Sequence, residues 1–116
     1  MRSTREVIED HLALRREHDL DADIDRNYSD DLIVLSKDGV FHGKDGIRET
    51  ARILRKNLPD ATYDYELVQI AEDYALLGWT AKAANGARTR HGADAFVVKD
   101  GLIAVQIIHF DVDRPG

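Results

Sequence analysis

Apolar positions recur at helical spacing in the first half of the chain and alternate or run together in the second, a pattern that predicts helices followed by a sheet. Ser3-Thr4-Arg5-Glu6 has the spacing of a capping box and marks a helix start. Beyond it Val7, Ile8, Leu12 and Leu14 define one buried face, and His11 lies on that face. A shorter helical piece is expected over residues 22–28, followed by short strands at 32–36 and 40–41 around the turn Lys37-Asp38-Gly39. A third helix over 44–57 points Ile47, Ala51, Leu54 and then Leu58 inward, and Pro59 stops it.

The remainder reads as strand. Residues 62–70 alternate with Tyr63, Tyr65 and Leu67 on one side. Strands at 74–84 and 87–99 flank Asn85-Gly86, a strong hairpin signal, and Lys99-Asp100-Gly101 returns the chain into 102–112. The order predicts one α+β domain over 1–116, with three N-terminal helices on one face of a curved, mainly antiparallel mixed sheet. The last strand, Leu-Ile-Ala-Val-Gln-Ile-Ile-His-Phe from Leu102, is apolar on both faces. One face can cover the helices, and the other calls for a second copy, so a homodimer through the outer sheet face is expected.

Composition narrows the function classes. A net charge of −6 with no dense basic cluster disfavours nucleic acid and anionic membrane as partners. The absence of cysteine excludes disulfides, thiolate metal sites and cysteine nucleophiles. His11, His42, His91 and His109 show no short metal-ligand spacing, and no phosphate-binding glycine loop occurs, so neither a metal nor a cofactor is expected. The start has no signal-peptide pattern and no apolar run is long enough to span a membrane, which makes a cytoplasmic protein the expectation.

Asp94 is the conspicuous candidate. It stands in His91-Gly92-Ala93-Asp94-Ala95-Phe96-Val97-Val98, where an ionised carboxylate costs several kcal/mol unless paired, hydrogen-bonded or protonated. Ala93, Ala95, Phe96 and Val97 favour its neutral form, and a plain structural partner for it is the alternative. His11 on the apolar helix face is the second candidate, as donor, proton shuttle or satisfied core histidine. Alternation puts Trp79 inside with Leu77 and Ala81. The facing of Gln106 depends on one turn. A two-residue turn at Asp100-Gly101 sets Asp94 opposite Ile107 with His109 on its face, whereas a three-residue loop sets it opposite Gln106 and turns His109 outward.

Four phrases together resemble the nuclear transport factor 2-like superfamily, in particular its SnoaL-like branch. They are Asp19-Leu20-Asp21, Tyr28-Ser29-Asp30-Asp31, Gly39-Val40-Phe41-His42-Gly43-Lys44-Asp45-Gly46-Ile47-Arg48, and Asp94-Ala95-Phe96 through Gly101. The resemblance implies a cone enclosing a mostly apolar pocket for a small ligand, usually in a dimer. It sets Asp94 where ketosteroid isomerase carries a protonated acid, and His11 where that enzyme has a donor tyrosine. Tyr28 falls at a commonly aromatic wall position. The catalytic candidates are therefore His11 and Asp94, and the substrate-binding candidates Tyr28, Trp79, Phe96 and Gln106. Ser36 stands where the isomerase has its proton-transferring carboxylate, so the isomerase's own reaction does not carry over. Two functions stay open: acid/base catalysis, isomerase- or cyclase-like, on a small carbonyl or polyketide-like substrate, and a non-catalytic dimeric ligand-binding or accessory module.

Overall fold

The computed structural model describes residues 1–115. Ser3 caps α1 (Thr4–Arg16) reciprocally: its hydroxyl accepts from the Glu6 N–H, and the Glu6 carboxylate accepts from the Ser3 N–H. Asp19 caps α2 (Leu20–Asn27) by accepting from the Ala22 N–H. β1 (Tyr28–Ser36) and β2 (Gly39–His42) form a hairpin, and α3 (Gly43–Asn57) follows. β3 (Thr62–Ala71), β4 (Tyr74–Lys82), β5 (Arg88–Lys99) and β6 (Leu102–Asp113) complete the chain as a meander. β1 begins earlier than its apolar pattern indicates, because Tyr28 already pairs with Ile103 of β6. That long-range pairing leaves no local mark in the sequence.

The six strands form one sheet in the order β2-β1-β6-β5-β4-β3, antiparallel throughout except where β1 runs parallel to β6. This is the expected α+β architecture of three helices on a mixed sheet. The inner face carries Leu32, Val34, Phe96, Leu77 and Trp79 into a core completed by Val7, Ile8, Leu12, Ile24 and Ile47.

Two bulges decide which side chains face inward. Lys99 pairs with Leu102, so Asp100-Gly101 is a two-residue turn with φ of +53° and +72°. One pair later Val98 opposes Ile103 while Val97 opposes Val105, leaving Ala104 as an extra residue on β6. Asp94 consequently faces Ile108, neither of the partners expected from the turn alone. The extra residue turns Gln106 inward, 3% exposed, and leaves His109 outside. A second bulge lies in β3, where Tyr65 opposes Trp79 but Leu67 opposes Gly78. Glu66 is the additional residue, and Leu67 is thrown to the exposed side, away from the face that Tyr63 and Tyr65 share.

Gly92 lets the sheet close on Trp79. It pairs with Trp79, and a Cβ there would stand 2.4 Å from the Trp79 carbonyl oxygen and 2.9 Å from its ring. Gly92→Ala is therefore expected to lower stability by about 1–3 kcal/mol. Denaturant unfolding measures that loss, and tryptophan fluorescence should report the displaced indole.

Candidate functional site

The helix spacing that buries Val7, Leu12 and Leu14 also buries His11, and the ring meets Asp23 from α2. His11 Nδ1 lies 2.8 Å from Asp23 Oδ2. Arg15, one turn further along α1, donates its Nε–H to the same oxygen at 2.6 Å. Asp23 is 0% exposed, and its other oxygen accepts from Asn27 Nδ2 at 2.9 Å. Asn27 in turn donates to Asp10 and accepts from Arg2, so a polar shell fixes the Asp23 carboxylate from behind. Burial works against the ionised carboxylate, but the bonds from His11 and Arg15 outweigh it and hold the Asp23 carboxyl below its ordinary range. An ionised Asp23 requires a proton on His11 Nδ1, so in the neutral ring Nε2 carries the lone pair.

A second network comes from the sheet. Trp79 Nε1–H donates to Asp94 Oδ1 at 3.1 Å, and Gln106 Nε2–H donates to Asp94 Oδ2 at 3.0 Å. The Tyr28 hydroxyl donates to Gln106 Oε1 at 2.6 Å and stands 3.5 Å from an Arg15 nitrogen, linking the two networks. Burial raises the Asp94 carboxyl above its usual range, against the two donors that favour its ionised form. Tyr28 is likewise pushed up by burial, and the Tyr63 hydroxyl is pushed up to about 12.

Both networks border one cavity of about 210 Å³, between α1, α3 and the inner sheet face. That is the share of roughly seven liquid waters, below the range of drug-sized sites, and suits a molecule of about one ring. Tyr63, Tyr65, Trp79 and Phe110 give it an aromatic wall; Leu20, Ile47, Ala51 and Leu54 give it an aliphatic one. Exposed His18, Asp38 and Arg55 mark its mouth. No buried side-chain nitrogen or oxygen among the described residues lacks a partner. His11 Nε2 and Arg15 Nη1 have no partner among the described residues and are not buried unpartnered atoms, so each is an accessible nitrogen on a side chain that lines the cavity.

Of the residues singled out in the sequence, His11, Asp94, Trp79 and Gln106 line this cavity. Tyr28 and Phe96 do not. Tyr28 is 1% exposed and supports Gln106 from behind, while Phe96, 2% exposed, packs edge-on against the His11 ring at 5.4 Å. His11 is bonded to Asp23 rather than to Asp94. Asp23 and Arg15 are the residues that sequence reasoning passed over. The available signal for Asp23 was its place with Leu20, Ile24 and Asn27 on one face of α2, and for Arg15 its position four residues after His11. Ser36, which the resemblance set at the place of the isomerase's proton-transferring carboxylate, and Asp38, read as part of a turn, also reach the cavity. Ser36 accepts from the Asp38 N–H at 3.2 Å, which holds that turn at the mouth.

A profile for the SnoaL-like domain matches residues 8–106. The chain belongs to the SnoaL-like family. No curated protein matches it by sequence. Among solved structures it is similar to a nuclear transport factor 2-like protein of unknown function from Mesorhizobium loti, with a TM-score of 0.78 and 18% identity over 93% of this chain and 90% of that one. It is also similar to TerC co-crystallized with polyporic acid, with a TM-score of 0.77 and 17% identity over 93% and 91%. A candidate SnoaL-like polyketide cyclase from Mesorhizobium loti gives a TM-score of 0.68 and 18% identity over 93% and 99%. At these identities the likeness is one of fold, the cone of this family. No helix among the described residues is long and apolar enough to cross a membrane.

The raised Asp94 carboxyl has a measurable consequence. A group whose pKa is higher in the folded than in the unfolded chain contributes stability at low pH and loses it as pH rises through the folded value. Measured against Asp94→Asn, which cannot ionise, the wild type should therefore lose ground as pH rises above 3.8, the ordinary value for this carboxyl. Paired melting curves from pH 3 upward test this; a constant offset between the two proteins contradicts it.

Proposed function

We propose that this SnoaL-like protein binds a small, mostly apolar carbonyl compound in its cavity and moves protons at the carbon beside the carbonyl. The observation that carries this reading is the orientation of His11: Nδ1 is fixed on buried Asp23, which leaves Nε2 free on a ring that lines the same cavity as Asp94. A histidine oriented by a carboxylate is a general base at its free nitrogen. Asp94 keeps its proton to higher pH than an ordinary carboxyl because it is buried, and so supplies the complementary acid. A site with one base, one acid and aromatic walls suits enolisation, the step shared by isomerase-like and cyclase-like chemistry. Co-crystallisation of TerC, a protein of similar fold, with polyporic acid supports an organic ligand for this fold.

Deuterium uptake from D₂O into the methyl group of acetophenone, followed by NMR, tests the reading. The ketone fits the cavity in size and carries exchangeable α-hydrogens. Enzyme-dependent uptake that is lost on blocking the site supports it; binding of small ketones with no exchange above background favours a non-catalytic ligand-binding module instead.

We further propose that a second copy covers the outer sheet face. Leu35, Ile107, Ala95 and Leu76 stand in one cross-strand row, with Ile33, Val105, Val97 and Tyr74 in the next. Ile33, Leu35, Tyr74, Leu76 and Ile107 are all exposed. Six strands span ~29 Å and nine residues reach ~30 Å. The face therefore offers the ~800 Å² per partner of a standard interface. Sedimentation equilibrium should give a dimer, and Ile107→Glu a monomer at the same concentration; a monomeric wild type at ~100 µM contradicts the proposal.

A further inference from the structure

The base proposed above leaves a question that the geometry answers: enolisation puts a negative charge on the substrate oxygen, and something must receive it. The sheet-side donors are already committed. The Trp79 and Gln106 N–H groups go to Asp94, and the Tyr28 hydroxyl goes to Gln106. Tyr63 and Tyr65 bring only neutral hydroxyls, and His18 and Arg55 are exposed at the mouth.

Arg15 differs from all of these. It uses Nε–H on Asp23 and reaches Tyr28 at 3.5 Å, which leaves Nη1 without a partner among the described residues and accessible, on a side chain that lines the cavity. Its counter-charge lies behind it: Asp23 is fully buried, and both of its oxygens are occupied by His11, Arg15 and Asn27. The pair therefore presents its cationic end to the ligand. His11 and Arg15 are also one helical turn apart and bonded to the same carboxylate oxygen, at 2.8 and 2.6 Å. A base and a cationic donor held side by side match an α-carbon and its carbonyl oxygen, which are themselves neighbours in the substrate.

We infer that Arg15 is a catalytic residue of the proposed reaction, the donor that holds the substrate oxygen as it becomes an enolate. This rests on the reading of His11 as base. His11 Nε2 takes the α-proton, the C–H electron pair forms the new carbon–carbon double bond, and the carbonyl π pair moves onto oxygen against the Arg15 N–H. Return of that proton from the imidazolium to carbon closes the step with no further reactant. A fixed guanidinium stabilises such an oxyanion without reorganising and stays charged throughout. The substrate class that follows is a compound with an enolisable carbonyl, not one lacking α-hydrogens.

The probe is 4-nitrophenol, a planar single-ring molecule whose ionised form absorbs visible light. At pH 6 the free probe is mainly neutral. Bound to the wild-type protein it should be mainly phenolate, with its ionisation ratio raised well over tenfold. His11→Asn should keep the phenolate signal, and Arg15→Gln should lose at least tenfold in affinity together with the signal. A probe that binds in its neutral form, binds Arg15→Gln equally well, or shows no saturable binding overturns the inference. If Arg15→Gln fails to fold, the spectra of the wild type and His11→Asn decide. Failure of the base reading looks different: phenolate binds as expected, yet acetophenone takes up no deuterium.

Discussion

His11→Gln is expected to lower catalysed deuterium uptake by about 10²–10⁴-fold, the range by which a positioned general base contributes. Glutamine keeps a polar group on α1 but offers no basic nitrogen at the position of Nε2. The melting temperature separates this outcome from unfolding, because His11 has only one hydrogen bond to lose. Unchanged uptake in a folded His11→Gln protein removes the histidine from the mechanism and leaves Asp94 as the remaining proposed proton-transfer group.

The largest effect on stability is expected at Asp23. Asp23→Ala removes the acceptor of three bonds and strands the Arg15 guanidinium over a 0% exposed position. Breaking a buried ion pair by deleting one partner costs ~3–5 kcal/mol. A domain of this size holds only ~5–15 kcal/mol in all. A fall in melting temperature on the order of 15 °C follows, read by calorimetry or circular dichroism. The effect has a pH signature of the opposite sign to that of Asp94. Burial raises the Asp23 carboxyl, but the His11 and Arg15 bonds more than reverse this and hold it low. A carboxyl lowered on folding stabilises above its unfolded value, and that stability is lost as pH falls through the folded value. The gap between wild type and Asp23→Ala should therefore be full near neutrality and close in acid. A gap independent of pH implies that Asp23 acts through packing rather than charge.

Much of the fold was legible because local and long-range signals agree. Ser3 and Glu6 mark the start of α1, Pro59 follows α3, and Asn85-Gly86 lies in the β4–β5 turn, all as the pattern predicts. The parts that were not legible depend on partners distant in sequence. The early start of β1 at Tyr28 follows from parallel pairing with β6, and the extra residue Ala104 changes the register of Asp94 without changing any hydrophobic pattern. The site shows the same division. Asp94 and His11 stood out because each is a polar group in apolar company. Asp23 lies among Asp19, Asp21 and Asp25, so its burial was masked by neighbours of its own type. Arg15 carried no signal of its own because α1 ends in the basic pair Arg15-Arg16; only Arg15 turns inward, while Arg16 lies over the Tyr65 ring.

The most direct test of the account is the protonation pattern of the His11 ring, read from ¹⁵N-labelled protein by long-range ¹H–¹⁵N correlation at a pH where the ring is neutral. The account predicts a protonated Nδ1 bonded to Asp23 and an unprotonated Nε2 whose shift changes when acetophenone enters the cavity. A proton on Nε2, or an Nε2 signal that saturating ketone leaves unmoved, would contradict His11 as the base of this site.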